Sequence, residues 1–351
     1  MKRDPNVQYL VEELEHGAMS RREFFERALL LLGSATAAEA LLASCSPQVV
    51  ANPATATPVP PAATATTAPT ATRVPPPPTV APTTAPTTAP TAAGTRPPQP
   101  TPAPFTPPAA SAIPGYVAPS AVDASDISFQ SGDFKMLGHL AKPKSGSGPW
   151  PAVIVIHENR GLTDHHKDTA RRVANLGYVA FAVDFLSRLG GTAKFDPPGN
   201  PTQGINSLKQ EDVNADIVSS VAYLKSLSYV RPKFGIVGFC WGGANSLNGA
   251  LSSKDIVACI VFYGRNPTNI DDVQKLNGPV LGLYGELDTG INSGIPALEA
   301  AMKKHTKPFE YQIYTGANHA FFNDSGPRFH EASAKDSWAR LVKFYETNLK
   351  S

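Results

Sequence analysis

The hexapeptide Gly238-Phe239-Cys240-Trp241-Gly242-Gly243 follows directly on the apolar run 234–237 and leads into a helical stretch at 244–251. A buried strand that closes in Gly-x-Cys-x-Gly and then opens a helix has the form of a nucleophile elbow. The glycines fit because so sharp a turn brings backbone against backbone and demands dihedrals that side chains obstruct. Such a turn lifts its apical residue, Cys240, out of the sheet at the N-terminus of the next helix. There, unpaired N–H groups and the helix dipole favour a thiolate and, later in a reaction, an oxyanion. The plainer reading is a buried cysteine in a glycine-rich turn.

Two further loops bear on that choice. Asp288 lies in Gly285-Glu286-Leu287-Asp288, behind the apolar run 279–284. His319 lies in Gly316-Ala317-Asn318-His319-Ala320, behind the run 311–314. The order nucleophile, acid, histidine is that of the α/β-hydrolases. Each residue follows the C-terminal end of a predicted strand, where open α/β sheets place their sites. A lone loop Asp or His is usually a solvated surface residue. Three in this order behind three strands make a candidate Cys240–His319–Asp288 triad.

The surrounding pattern agrees. Segments 127–131 and 137–142 read as a hairpin about Gly132-Asp133, and the continuous apolar run 152–156 as a strand buried on both faces. Helix 163–176, strand 178–183 and the long helix 208–227 precede the elbow; strands 256–263, 280–284 and 309–314, with helices near 295–304 and 331–349, follow it. This alternation predicts an α/β fold with a mostly parallel central sheet covered by helices on both faces. The Gly- and Pro-rich segment 188–207 is expected to run irregularly and help wall a pocket.

On these residues the region 120–351 resembles the dienelactone hydrolase (carboxymethylenebutenolidase) family, a cysteine branch of the α/β-hydrolases. The matching segments are Ile156-His157-Glu158-Asn159-Arg160-Gly161-Leu162, Val183-Asp184-Phe185-Leu186-Ser187-Arg188, the elbow, Phe262-Tyr263-Gly264, and the acid and histidine loops. The resemblance implies a hydrolase that cleaves an ester or lactone through a thioacyl-enzyme, without a cofactor or metal. It assigns the oxyanion hole to the backbone N–H groups of Trp241 and Asn159. It makes Glu158 a partner of the resting thiol that takes part in its activation; the rival reading is a carboxylate bonded to nearby backbone amides. His157 is expected to support its loop, and His165 and His166 to be solvated at a helix start.

In that family two arginines hold a substrate carboxylate. Arg188 falls on the first position, as a binding candidate with a surface ion pair as its rival; the second position is Asn323, so one bidentate clamp is missing. Arg160 and Arg265 are the arginines left to substitute for it. Two alternatives to a dienelactone hydrolase-like enzyme stay open: a general carboxylesterase or thioesterase, and a non-catalytic surface binding protein on a hydrolase scaffold. The complete candidate triad argues against the last, since an exposed thiolate is an oxidation liability to a pure binder.

Ahead of this region the 351-residue chain changes character. Residues 1–45 read as an export signal: a twin-arginine motif at Arg21-Arg22, an apolar stretch, then Leu42-Ala43-Ser44-Cys45 resembling a lipobox whose cysteine is lipidated. Residues 46–119 are built mainly of Pro, Thr and Ala and lack the large apolar side chains that would offset the entropy of ordering. A disordered linker is expected there, reaching at most roughly 200 Å as extended polyproline II. The chain is thus expected to be exported, lipid-anchored on the outer face of a bacterial cytoplasmic membrane, and monomeric. A net charge of +2 with no basic cluster gives no reason to expect nucleic acid as a partner. Three cysteines make no disulfide framework, and Cys240 and Cys259 are expected at opposite ends of the sheet.

Overall fold

A computed structural model describes residues 105–195 and 200–351, together with the isolated position Ala28. Arg21, Arg22, Cys45 and the Pro/Thr/Ala-rich stretch up to residue 104 lie outside the described residues.

The architecture is α/β. Eight strands form one sheet in the order β1-β2-β4-β3-β5-β6-β7-β8. The first two, β1 (Val122–Ser131) and β2 (Phe134–Pro143), make the expected hairpin about Gly132-Asp133, and β2 runs antiparallel to β4. The remaining strands are parallel: β3 (Trp150–Ile156), β4 (Val179–Asp184), β5 (Val230–Phe239), β6 (Ile256–Phe262), β7 (Val280–Gly285) and β8 (Phe309–Tyr314). The connecting helices are α1 (Asp164–Asn175), α2 (Pro201–Asn206), α3 (Gln210–Ser226), α4 (Trp241–Ser252), α5 (Thr289–Asn292), α6 (Ile295–Lys304) and α7 (Glu331–Tyr345).

Alternation along the central strands feeds two cores. Ile154, Ile156 and Ile236 point to one face, where Ile217 and Leu224 of α3 and Leu298 of α6 cover them. Val153, Val155 and Val237 point to the other, against Val173 of α1 and Leu341 of α7. Strands buried on both faces read as uninterrupted apolar runs, which is why 152–156 was legible. Each fully buried Val or Ile contributes about 1.5–3 kcal/mol, so the sheet centre is also the most rigid platform available to a site.

Three expectations change. The folded part reaches N-terminal of residue 120: Pro114 is buried, its carbonyl accepts from Arg172 Nη1 at 3.5 Å, and Gly115 lies against the Trp338 ring. His165 and His166 are buried rather than solvated, because α1 turns them inward toward Phe239. Cys259 sits within β6 opposite Ile236, not at a sheet end. It belongs to one core and Cys240 to the other, so the sheet separates them, and neither is in a disulfide. Among the described residues, no helix is long and apolar enough to cross a membrane.

Candidate active site

The site gathers at the C-terminal ends of β3, β5, β6, β7 and β8. Cys240 directly follows β5 with φ +58° and ψ −116°, a left-handed conformation that a side-chain-bearing residue adopts only under constraint. The glycines around it allow this. A Cβ on Gly238 would stand 1.8 Å from the Gly242 carbonyl oxygen, and one on Gly242 would stand 2.4 Å from that of His157. Tyr263, after β6, and Ala320, after His319, also have positive φ, so backbone strain concentrates around one point.

His319 and Asp288 are both buried, and His319 Nδ1 lies 2.5 Å from Asp288 Oδ2. Burial by itself would push the imidazole's pKa down. The negative charge of the Cys240 sulfur, the Asp288 hydrogen bond and a side-chain hydrogen bond with Cys240 outweigh it, so His319 stays protonated up to about 10. Asp288 and His319 are therefore hydrogen-bonded to each other, and the Cys240 sulfur lies near enough to act on the imidazole electrostatically.

Cys240 and His319 open onto a cleft of about 180 Å³ that Asn159, Trp241, Tyr263 and Arg265 also line. Thr202 and Asn206 of α2 contribute to its wall, as expected of the segment after Arg188. Trp241 begins α4, so its N–H is one of the groups with no intrahelical acceptor, and Asn159 faces the same cleft from the β3 loop.

Glu158 accepts hydrogen bonds from two side chains. Tyr263 Oη donates to its Oε1 at 3.3 Å, and Asn323 Nδ2 donates to its Oε2 at 2.6 Å. Burial raises the Tyr263 phenol's pKa well above its ordinary value, helped by the charges of Glu158 and Cys240, so it remains a donor. The loop behind Glu158 is fixed by two neutral histidines. His157 donates from Nδ1 to the Glu158 carbonyl at 2.6 Å and accepts the Phe185 N–H at Nε2, at 3.1 Å. His166 accepts the Glu158 N–H at 3.2 Å and donates to Thr163 Oγ1 at 2.9 Å. Burial lowers the pKa of both rings, and both ring nitrogens of each are occupied, so they brace the loop.

Arg188 does not line the cleft. Its Nε contacts both Asp216 carboxylate oxygens at 3.1 Å, Nη2 reaches one at 2.7 Å, and the guanidinium stacks 4.4 Å from the Phe134 ring centre. The ion-pair reading of this residue therefore fits the structure, and the substrate-binding reading does not. Sequence reasoning overlooked the Tyr263 and Asn323 contacts to Glu158. A small amide at a position expected to carry arginine was the available signal. Among the described residues, no group of three or more His, Cys, Asp or Glu is arranged to hold a metal.

Comparison with known proteins points to one family. The family model described as "Dienelactone hydrolase family" matches residues 136–349. A Saccharolobus solfataricus protein named "Putative carboxymethylenebutenolidase" is 33% identical over 254 residues, covering 62% of this chain and 96% of its own. An Escherichia coli O157:H7 protein of the same name is 32% identical over 254 residues, covering 68% of this chain and 93% of its own. Among solved structures, a "Putative Dienelactone Hydrolase" from Klebsiella pneumoniae superposes with a TM-score of 0.60 at 29% identity, covering 64% of this chain and 98% of that one.

Proposed function

Since the chain belongs to the dienelactone hydrolase family and is thereby an ester or lactone hydrolase, we propose that it works through Cys240, His319 and Asp288 by way of a thioacyl-enzyme. The observation that supports the reading is the His319–Asp288 hydrogen bond, with His319 and Cys240 lining the same cleft.

In this reading the Cys240 sulfur attacks the acyl carbon, forming a C–S bond and placing negative charge on the carbonyl oxygen. The Trp241 and Asn159 N–H groups receive that charge, each such donor being worth about 3 kcal/mol at the transition state. As the tetrahedral species collapses, the C–O bond breaks and His319 Nε2 gives its proton to the departing alkoxide. Neutral His319 then takes a proton from water, whose oxygen attacks the thioester; the carboxylic product leaves and the Cys240 thiolate returns. Asp288 holds the imidazole in one tautomer and stabilises its cationic form throughout. Glu158, fixed by Tyr263 and Asn323, adds negative charge at the edge of the site.

The experiment that tests this is hydrolysis of a panel of small esters, lactones and thioesters by wild type and Cys240→Ala. The variant should lose activity by at least about 10³-fold while keeping its circular dichroism spectrum. Full activity in the variant would overturn the assignment.

For residues outside the described region, we propose an export signal over 1–45 ending at a lipidated Cys45, then a linker tethering the enzyme to the outer face of the membrane. The order of Arg21-Arg22, apolar stretch and Leu42-Ala43-Ser44-Cys45 supports it.

A further inference from the structure

The two edges of the sheet are built differently. The exposed positions of β1 carry no large apolar side chain, and its carboxylates are tied to cations, Asp123 to Lys142 at 2.7 Å and Asp126 to Lys167 at 2.8 Å. Charge on an edge strand discourages a further chain from pairing there. β8, at the opposite end of the strand order, pairs only with β7 among the described residues. Its Tyr311 and Ile313 are 38% and 37% exposed, and Leu287, 56% exposed, follows β7 and donates its N–H to the Ala317 carbonyl in the turn after β8. Three of the six large apolar side chains exposed among the described residues thus gather at this edge.

The backbone of β8 is open as well. The Pro308 carbonyl accepts from the Val280 N–H at 3.0 Å and the Tyr314 carbonyl from the Glu286 N–H at 2.9 Å, so the even-numbered residues turn their peptide groups toward β7. Alternation turns those of Phe309, Tyr311 and Ile313 outward. The Ile313 carbonyl is met there by the Gln312 side-chain amide at 2.8 Å. The side chains of Phe309, Tyr311 and Ile313 share one face of the strand, where Phe309 stacks on Tyr311 with ring centres 5.4 Å apart.

We propose that β8 pairs antiparallel with β8 of a second copy of this chain, about a two-fold axis at Tyr311. In that register Tyr311 pairs with Tyr311 and Phe309 with Ile313 of the other copy, which uses every outward peptide group of the strand. The apolar row of one copy continues into that of the other. On the opposite face Glu310 meets Gln312, so the strand's one acid faces an amide rather than its own counterpart. The flanking charges agree. Lys303 lies in the last turn of α6, before the strand, and Glu286, which accepts the Gly316 N–H at 2.8 Å, stands at its far end. Antiparallel pairing sets the basic end of one strand toward the acidic end of the other. The monomer expected from the sequence thus gives way to a weak dimer, since so short a strand buries less area than a standard interface.

Sedimentation velocity of the full-length chain, carrying Cys45→Ala to keep lipid off, tests this between about 1 and about 300 µM. The sedimentation coefficient should rise with concentration toward that of a dimer. Ile313→Lys enters the interface twice by symmetry and should raise the dissociation constant at least about tenfold, whereas Ser128→Lys on β1 should leave it unchanged. Disulfide formation reads the register. Tyr311→Cys sets two Cα atoms about 5.5 Å apart, within disulfide reach, so mild oxidation should link the copies through position 311. Glu310→Cys and Gln312→Cys, offset across the axis, should not link to themselves. A chain that stays monomeric at every concentration, whether its own N-terminal residues or another protein holds the edge, would overturn the proposal. So would a dimer that Ile313→Lys leaves intact.

Discussion

Asn323 donates from Nδ2 to Glu158 Oε2 at 2.6 Å, joining the histidine loop to the loop after β3 across 165 residues of chain. This bond fixes a buried carboxylate.

Asn323→Ala should therefore reduce stability by about 1.5–3 kcal/mol, the range for a hydrogen bond to a charged, buried group. A urea midpoint shift at unchanged slope is the measurement. Asn323→Asp should cost more at neutral pH than near about pH 4, since two adjacent carboxylates cannot both ionise cheaply. An alanine variant as stable as wild type would mean that solvent replaces the amide freely.

His319 provides a pH dependence whose sign is determined. Its pKa is lowered by burial but raised further by Cys240 and Asp288, to about 10. The stabilisation from its cationic form is thus complete below the ordinary histidine pKa and is lost as pH rises through about 10. Activity that needs the imidazolium should fall over the same alkaline range. Asp288→Asn removes two of the raising influences, so the limb should move to lower pH; an unmoved limb would show that another group sets it.

The two thiols should differ in reactivity. Cys240 lines the cleft, whereas Cys259 is sealed in the core and burial pushes its thiol up to about 12. Iodoacetamide on folded protein should modify Cys240 with loss of activity and leave Cys259 untouched, as peptide mass spectrometry can read. Equal labelling would require an opening of the sheet.

Arg172 is fully buried between Asp168 and Asp324, and Asp324 also holds His165 Nδ1 at 2.8 Å. This network clamps the segment after the histidine loop to α1. Arg172→Met should cost about 3–5 kcal/mol, because it leaves the buried Asp324 carboxylate without its arginine, while Asp168 keeps Arg171. Burial alone would raise the Asp324 pKa, but His165 and Arg172 hold it down to about 2. Its contribution is therefore present above the ordinary carboxylate range and lost as pH falls through about 2. Wild-type stability that is flat through that acid range would contradict this.

Cys45→Ala should release the mature protein from membranes or block its processing, which fractionation and N-terminal mass spectrometry would detect. An intact 1–44 segment on most native protein would overturn the anchoring proposal.

The order of strands and helices, the sharp turn at Cys240, and the placement of Asp288 and His319 just beyond strand ends were determined by the sequence itself. Those features are local: an apolar run long enough for a strand, a glycine pair that lets one turn close, and polar residues placed just beyond strand ends. Tertiary structure alone decided which partner each long side chain takes. Arg188 could serve a substrate or an acid, and only the placement of α3 brings Asp216 to it, 28 residues away. His165 and His166 stand in a polar helix start, and only the packing of α1 on the sheet buries them. Asn323 meets Glu158 because β3 and the loop after β8 end on the same rim of the sheet, a proximity that no local pattern encodes.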